Sequence, residues 1–250
     1  MDYKVSSAVI LAAGKGTRLS SVLNDIPKCL VKINKKSIIE YQLGLLEKHQ
    51  IKTVFIVVGY LKDKIIKKIG NNFGNLRIIY IVNKEFEKTN NIYSLWLVKE
   101  YLNRNIILLE GDTLIEEKIL TEMIHSSQKN IAVLGNFDKR YMCGTVVSLN
   151  SNGSLKEIFL KKEQKKGFDY TDKFKTVNVY KFSKDMLVKF MIPSLSSYIR
   201  QNRLNEYYEI CLKDVIKKEK IWGMVTRHKW IGINNEDDLK RAKNTFNDTA

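Results

Sequence analysis

The sequence predicts an α/β fold: a three-layer sandwich around a mostly parallel mixed sheet, with a β-rich extension in its second half. Three observations predict it. Through residue 135, short β-branched apolar runs alternate with amphipathic stretches of helical spacing, the pattern of strands buried on both faces by helices. Several of these runs end on glycine or a carboxylate, where an open α/β sheet places its ligands. After residue 143 the alternation gives way to three strands close together.

The elements follow in order. Residues 7–13 form a short apolar run bounded by glycine, as a buried strand would be. "SIIEYQLGLLEKHQ" (37–50) has Ser37 as N-cap and apolar residues at 38, 41, 45 and 46, a helical spacing. "TVFIVVGY" (53–60) is a strand, and "LKDKIIKKIG" (61–70) a short helix closed by Gly70. Strand 76–82, helix 92–102, strand 105–112, helix 116–126 and strand 130–135 complete the first half. Strands at 144–150, 153–160 and 174–182 follow, with "NSNG" (150–153) as a hairpin turn between the first two. Helices at about 184–201, 206–219 and 236–247 close the chain. There is no internal repeat, and Pro27 and Pro193 are the only prolines, so nothing marks a linker and residues 1–250 read as one domain.

With 250 residues, 44% of them hydrophobic, the chain can bury a substantial core and is not a disordered segment. A net charge of +16 raises the question of nucleic acid. The excess is mostly lysine, and the eight arginines are scattered rather than stacked in one arm. A composition rich in Lys, Ile and Asn also fits an AT-rich genome, so the charge reads as background that attracts small anions, and no nucleic-acid partner is expected. Cys29, Cys143 and Cys211 lack CxxC spacing, which suggests neither a disulfide framework nor a zinc site. The N-terminal apolar run is too short for a signal peptide, and no stretch approaches the ~20 apolar residues of a membrane helix. A cytoplasmic protein without a membrane partner is expected; a homo-oligomer is left open.

The string "LAAGKGTRL" (11–19) directly follows the first strand. A dinucleotide fingerprint would put a third glycine where Leu19 stands, and a P-loop needs a different frame ending in Gly-Lys-Ser/Thr. The glycine-rich loop of nucleotidyltransferases, followed about ten residues later by Pro-Lys, fits at every position, with Pro27-Lys28 in place. From Val9 to Ala242 the chain resembles the sugar-nucleotidyltransferase-like superfamily. "NNIYSL" (90–95), "LLEGD" (108–112), "GTVVSL" (144–149), "FKTVNVYKFS" (174–183), "EYYEICL" (206–212) and a closing W-x-x-I-N-x-x-x-D-L (230–239) are most similar to the branch that activates phosphocholine or phosphonates with CTP. The E-K-P string usual in sugar-1-phosphate enzymes is missing from "FLKKEQKK" (159–166).

The resemblance implies a Rossmann-like fold of the nucleotide-diphospho-sugar transferase type, with residues 1–135 binding nucleotide and 136–250 binding acceptor. It implies a Mg²⁺-dependent cytidylyltransferase that joins CMP from CTP to a small phosphate or phosphonate acceptor and releases pyrophosphate. An ionised phosphate oxygen needs no general base, so such catalysis is positioning plus electrostatics. Leu11, Ala12, Ala13, Gly14, Gly16 and Thr17 would cradle the nucleotide. Arg18 would hold the β- and γ-phosphates, and Lys28, in an apparently exposed loop, would bridge the attacking group and the α-phosphate. Gly59 and Tyr60 fall where the family contacts the pyrimidine, although Tyr60 as ordinary packing reads equally well. Asn91, Ser94 and Gly111 join the nucleotide set, with helix capping as the alternative for Asn91 and Ser94.

Asp112 at a strand end suits Mg²⁺, with an N-cap for the helix starting near Glu116 as its alternative. Asn234 stands where the family has its second metal-binding aspartate, with a cap for the helix near Glu236 as its alternative. On the acceptor side, Lys161 and Lys175 flank strands facing the phosphate, against surface lysines as the bland alternative. Tyr207, Tyr208 and Glu209, with Trp96 or Trp230, would box a cationic amine or choline, against simple core packing. His49, His125 and His228 share no ligand spacing. Two rivals remain: a sugar-1-phosphate nucleotidylyltransferase, and a basic nucleic-acid-binding module with a non-catalytic core.

Overall fold

The computed structural model describes residues 4–19 and 25–246. The chain opens with β1 (Ser7–Ala12), the glycine loop, and a small hairpin of β2 (Lys32–Ile33) and β3 (Lys36–Ser37). There follow α1 (Ile38–Lys48), β4 (Thr53–Val58), α2 (Lys62–Ile69), β5 (Asn72–Phe73), β6 (Leu76–Val82) and α3 (Asn91–Leu97). Then come β7 (Ile106–Glu110), β8 (Thr113–Ile115), α4 (Glu117–His125) and β9 (Ile131–Asn136). The second half holds β10 (Val146–Leu149), β11 (Leu155–Phe159), β12 (Phe174–Phe182), a helix α5 over 184–200, α6 (Glu209–Val215), β13 (Trp222–Val225), β14 (Trp230–Gly232) and α7 (Glu236–Thr245). In α5 the stretch Leu187–Met191 widens into a π turn just before Pro193, whose missing N–H an α-helical ladder would have needed.

Ten of the described strands form one sheet. Its centre, β6-β4-β1-β7, is parallel, and β5 pairs antiparallel with β6 at the edge. The β-rich extension is not a separate layer: β12 enters the main sheet antiparallel to β7 and carries β9 and β13 beyond it. Its first residues pair with β10, which pairs in turn with β11. The bend in β12 comes at Asn178, whose φ of 62° interrupts the register with β9.

Strand alternation builds the three layers. Ala8 and Ile10 of β1 pack with Leu43 of α1, Ile65 of α2 and Leu120 of α4 on one face. Val9 and Leu11 pack with Leu95 of α3, Met191 of α5 and Leu212 of α6 on the other. These side chains are nearly all inaccessible, and each of the larger ones, Ala8 apart, contributes about 1.5–3 kcal/mol of apolar burial. Ser37 is the N-cap of α1, as expected, and Glu40 completes a capping box with it, its Oε2 accepting from Ser37 N at 2.8 Å.

Two helices are shorter than expected, because tertiary contacts override local propensity. The predicted helix 92–102 ends at Leu97, and a 3₁₀ turn brings Tyr101 to stack on Phe55 with ring centres 4.6 Å apart. The predicted helix 206–219 is helical only over Glu209–Val215. Its lead-in bonds to α3 instead, with Asn90 N donating to Leu204 O and Tyr208 N donating to Asn91 Oδ1, both at 2.9 Å. Residue 247, the last of the third predicted helix, lies outside the described residues. No helix among the described residues is long and apolar enough to cross a membrane.

Candidate active site

A cavity of about 520 Å³ opens at the carboxyl ends of β1 and β7. Leu11, Ala12, Ala13, Gly14, Gly16, Thr17 and Arg18 line one wall. Gly16 makes the turn with φ of 66°, a conformation that favours glycine, and its carbonyl accepts from Leu19 N at 2.9 Å. Leu19 is buried and anchors the loop, which leaves Thr17 and Arg18 exposed above the cavity. Arg18 Nη2 donates to Asn234 Oδ1 at 3.3 Å, so the two ends of the chain meet across the cavity mouth.

The floor centres on Lys28 and Asp112. Lys28 follows Pro27 on a 3₁₀ turn, and its Nζ lies 2.5 Å from Asp112 Oδ2. Lys28 is therefore half-buried, correcting the expectation of an exposed loop position: its side chain is 15% exposed and that of Asp112 23%. Pairing of β8 with β14 brings Asn234 to Asp112, and Ile233 N donates to Asp112 O at 2.9 Å. Neither residue caps a helix. Glu116 precedes α4, and the cap of α7 is Asn235, whose Oδ1 accepts from Asp238 N at 2.8 Å. Asn234 and Asp112 thus present hard oxygens on adjoining strand ends. Among the described residues, no group of three or more His, Cys, Asp or Glu could hold a metal.

A second charged group lies in the same cavity, made of Glu110, Glu209 and Lys175. Glu110 Oε1 accepts from Asn91 Nδ2 and its Oε2 from Asn178 Nδ2, both at 3.1 Å. Burial, then the neighbouring charges of Asp112 and Glu209, pushes the Glu110 carboxyl up to about 8. Burial likewise raises Glu209, whose Oε1 accepts from Thr145 Oγ1 at 3.2 Å. Lys175 is buried, not a surface lysine, and desolvation lowers its pKa. Glu110 and Asn178 were not singled out in the sequence, although both lie inside strings that carry the resemblance, "LLEGD" and "FKTVNVYKFS".

The remaining candidates divide. Asn91, Ser94, Gly111, Lys161 and Tyr207 line the cavity. Asn91 bridges Glu110 and Tyr208 N, and Ser94 Oγ accepts from Asn83 Nδ2 at 3.1 Å; Asn90, not either of them, precedes α3 as its cap. Gly59 and Tyr60 are outside the lining and stand behind the glycine loop. A Cβ on Gly59 would fall 2.7 Å from Phe86 Cβ and 2.8 Å from Ala13 O, so glycine here lets three segments close together. Tyr60 N donates to Ala13 O at 3.1 Å, and its ring lies 6.2 Å from that of Phe86.

Tyr208 is wholly buried against Tyr180 and belongs to the core, a correction to the expected aromatic box. Trp96 also lies outside the lining, stacked on Tyr93, whereas Trp230 lines the cavity and covers Gly135. His228 pairs with Glu122, and His49 Nε2 lies 3.3 Å from Thr121 Oγ1. All three cysteines are unpaired.

Residues 7–248 match the family model described as nucleotidyl transferase. Over 207 residues, 83% of the chain, the protein is 31% identical to the CMP-5'-(3-aminopropyl)phosphonate synthase of Streptomyces rubellomurinus. Over 120 residues, 48% of the chain, it is 36% identical to the choline-phosphate cytidylyltransferase of Streptococcus pneumoniae. The chain spans 33% and 51% of the lengths of these two relatives. The solved CTP:phosphocholine cytidylyltransferase from Streptococcus pneumoniae superposes with a TM-score of 0.74 at 22% identity, covering 96% of this chain and 98% of that one, a likeness of fold.

Proposed function

Because the chain belongs to the nucleotidyl transferase family, we propose that it transfers CMP from CTP to a small phosphate- or phosphonate-bearing acceptor and releases pyrophosphate. The observation that carries this is the Lys28–Asp112 pair, set between the glycine loop and the buried Glu110–Glu209–Lys175 group in one cavity. The two relatives, a CMP-5'-(3-aminopropyl)phosphonate synthase and a choline-phosphate cytidylyltransferase, support a cytidine nucleotide, CTP, as the donor.

The acceptor oxygen attacks the α-phosphorus in line, and the bond to the bridging oxygen of pyrophosphate breaks. The attacking oxygen is already anionic, so the protein has no proton to remove. Its work is to bring two polyanions together and to stabilise charge at phosphorus. Backbone N–H groups from Gly14 to Thr17 receive phosphate oxygens, and Arg18 holds the β- and γ-phosphates. Lys28, turned from Asp112 toward the α-phosphate, bridges it to the attacking group. Gly59 and Tyr60 hold the loop from behind, within reach of the base side of the nucleotide.

Asp112 and Asn234 fit Mg²⁺: two hard oxygens, with phosphate and water oxygens left to complete the set, suit an ion that keeps much of its hydration. When bound there, Mg²⁺ would neutralise triphosphate charge and fix the oxygens for displacement. Lys161, Lys175, Tyr207 and Glu209 take the acceptor. Residues 1–135 then serve mainly the nucleotide and 136–250 mainly the acceptor. Three unpaired cysteines suit a reducing cytoplasm.

A pyrophosphate-release screen tests this, with four nucleoside triphosphates against aminoalkyl and hydroxyalkyl phosphonates, phosphocholine, phosphoethanolamine, glucose-1-phosphate and phosphorylated amino acids. Turnover that needs Mg²⁺ and prefers CTP with a phosphonate or phosphoalkylamine is expected. Preference for UTP or dTTP with glucose-1-phosphate would replace this function with the sugar-1-phosphate one.

A further inference from the structure

The buried face of α1 is an apolar stripe of Ile38, Ile39, Leu43 and Leu46, and Gln42 interrupts it at 1% exposure. Burying an amide is costly unless it is hydrogen bonded, and this one is bonded through its nitrogen alone. Its Oε1 has no partner. Its Nε2 donates twice, to Glu110 O at 2.7 Å and to Thr113 O at 2.8 Å. Those two carbonyls bracket Gly111 and Asp112, the turn between β7 and β8. A primary amide carries two N–H donors on one uncharged nitrogen, so glutamine suits two carbonyls that converge on one point. Methionine or leucine in its place would complete the apolar stripe and leave both carbonyls without this donor.

The turn carries the carboxylate on which the floor of the cavity centres. Asp112 faces Lys28 at 2.5 Å through Oδ2, and its Oδ1 accepts from Thr113 Oγ1 at 3.3 Å. The turn's backbone is tied on two other sides, with Gly111 N donating to Leu11 O and Ile233 N donating to Asp112 O, both at 2.9 Å. Gln42 ties it on a third side, from the helix layer.

We propose that Gln42 is a positioning residue for the reaction: by holding Glu110 O and Thr113 O from α1, it sets where the Asp112 carboxylate stands against Lys28 and Asn234. Misplacing a group at a reaction centre by about 1 Å costs about 10²-fold in rate. Partners that orient a metal-binding side chain matter on a similar scale, about 10–100-fold in affinity or activity. The proposal rests on the cytidylyl transfer reading for the roles of Lys28 and Mg²⁺, and takes nothing else from it.

The test is Gln42→Met, which keeps the length of the side chain and removes both donors, set beside Leu43→Ala. Leu43 is the next residue on α1 and packs in the apolar layer. Electron paramagnetic resonance reads the binding of Mn²⁺, an ion that takes the same oxygen ligands as Mg²⁺. It is measured with a CTP analogue whose α,β-bridging oxygen is replaced by methylene, so that nothing turns over. Gln42→Met should weaken Mn²⁺ binding by about 10–100-fold. With CTP itself, kcat should fall by about 10- to 100-fold while the KM for the acceptor stays in place. Leu43→Ala, which opens a cavity, should lower the melting temperature and leave Mn²⁺ affinity and kcat unchanged. Nuclear magnetic resonance of the wild type serves if Gln42→Met fails to fold. Both protons on Gln42 Nε2 should exchange slowly with water and shift when Mg²⁺ and the methylene analogue are added.

If Gln42→Met loses stability alone, as Leu43→Ala does, or if the Gln42 resonances are unmoved by metal and nucleotide, the proposal is overturned and Gln42 serves only the packing of the turn. A wild-type protein that adds nothing to the analogue's own hold on Mn²⁺ overturns it as well, and Mg²⁺ at Asp112 with it. If no acceptor releases pyrophosphate with the wild type while Gln42→Met still loosens Mn²⁺, the positioning role stands and cytidylyl transfer falls.

Discussion

Replacing Lys28 with alanine removes the cation closest to the proposed reaction centre, and the structure sets two separate magnitudes for the effect. The first is catalytic. Nζ is held in the cavity, 2.5 Å from Asp112, so it is a charge already oriented before substrate arrives. Losing one such preorganised group costs about 10²–10³-fold in kcat. The second is structural. With side chains 15% and 23% exposed, the pair lies between an exposed ion pair, at about 0–1 kcal/mol, and a fully buried one, at about 3–5 kcal/mol. A loss of about 1–2 kcal/mol follows, because Asp112 is left facing Glu110 without its counter-ion. Steady-state rates at saturating CTP and acceptor read the first, and a urea melt reads the second; Lys28→Met, which keeps the stem, should recover part of the stability and none of the rate. Near-normal kcat at saturation in Lys28→Ala would remove Lys28 from the catalytic set.

Three further outcomes are expected. Asn234→Ser should raise the Mg²⁺ concentration needed for half-maximal rate without lowering the melting temperature, whereas Asn235→Ala should cost about 1 kcal/mol of stability, measured by urea, and leave the Mg²⁺ dependence alone. Tyr208→Ala should lose about 3–5 kcal/mol in a denaturant melt, as a fully buried aromatic truncated to alanine does. Tyr207→Ala, at a position 48% exposed, should stay within about 0.5 kcal/mol of wild type. Lys181 is buried with its Nζ 2.8 Å from Ser126 O, and burial pulls its pKa from 10.5 down to about 8. Between those values the unfolded chain holds the proton and the folded one does not, so its contribution makes stability rise with pH across that window. The slope is at most about 1.4 kcal/mol per pH unit, and Lys181→Met should flatten it in melts taken at successive pH values.

What the sequence made legible follows from where the signal is local. The strand β1, the helix α1 with its Ser37–Glu40 start, and the glycine loop each sit in one short window, and each is found where its residues predict. The pairing of β8 with β14 is not local: two three-residue strands, far apart in sequence, carry no periodicity, yet they bring Asn234 beside Asp112. Lys175 looked like any of the many surface lysines, because only the pairing of β10 with β12 buries it. Tyr207 and Tyr208 differ by one residue at the start of α6, and that step sends one to the cavity and the other to the core. Asn234 and Asn235 part in the same way: Asn235 caps α7 while Asn234 faces Arg18 across the cavity, a choice that register makes and composition does not.

The most direct test of cytidylyl transfer is to follow the phosphorus atoms of CTP. With Mg²⁺ and an aminoalkyl phosphonate, label at the α-phosphorus should appear in a product that also contains the acceptor, and label at the γ-phosphorus should appear only in pyrophosphate. Both transfers should stop when the acceptor is omitted and slow by about 10²–10³-fold when Lys28 is replaced by alanine. Label from the γ-phosphorus in the acceptor, or α-label released as free CMP whether or not an acceptor is present, would contradict the account.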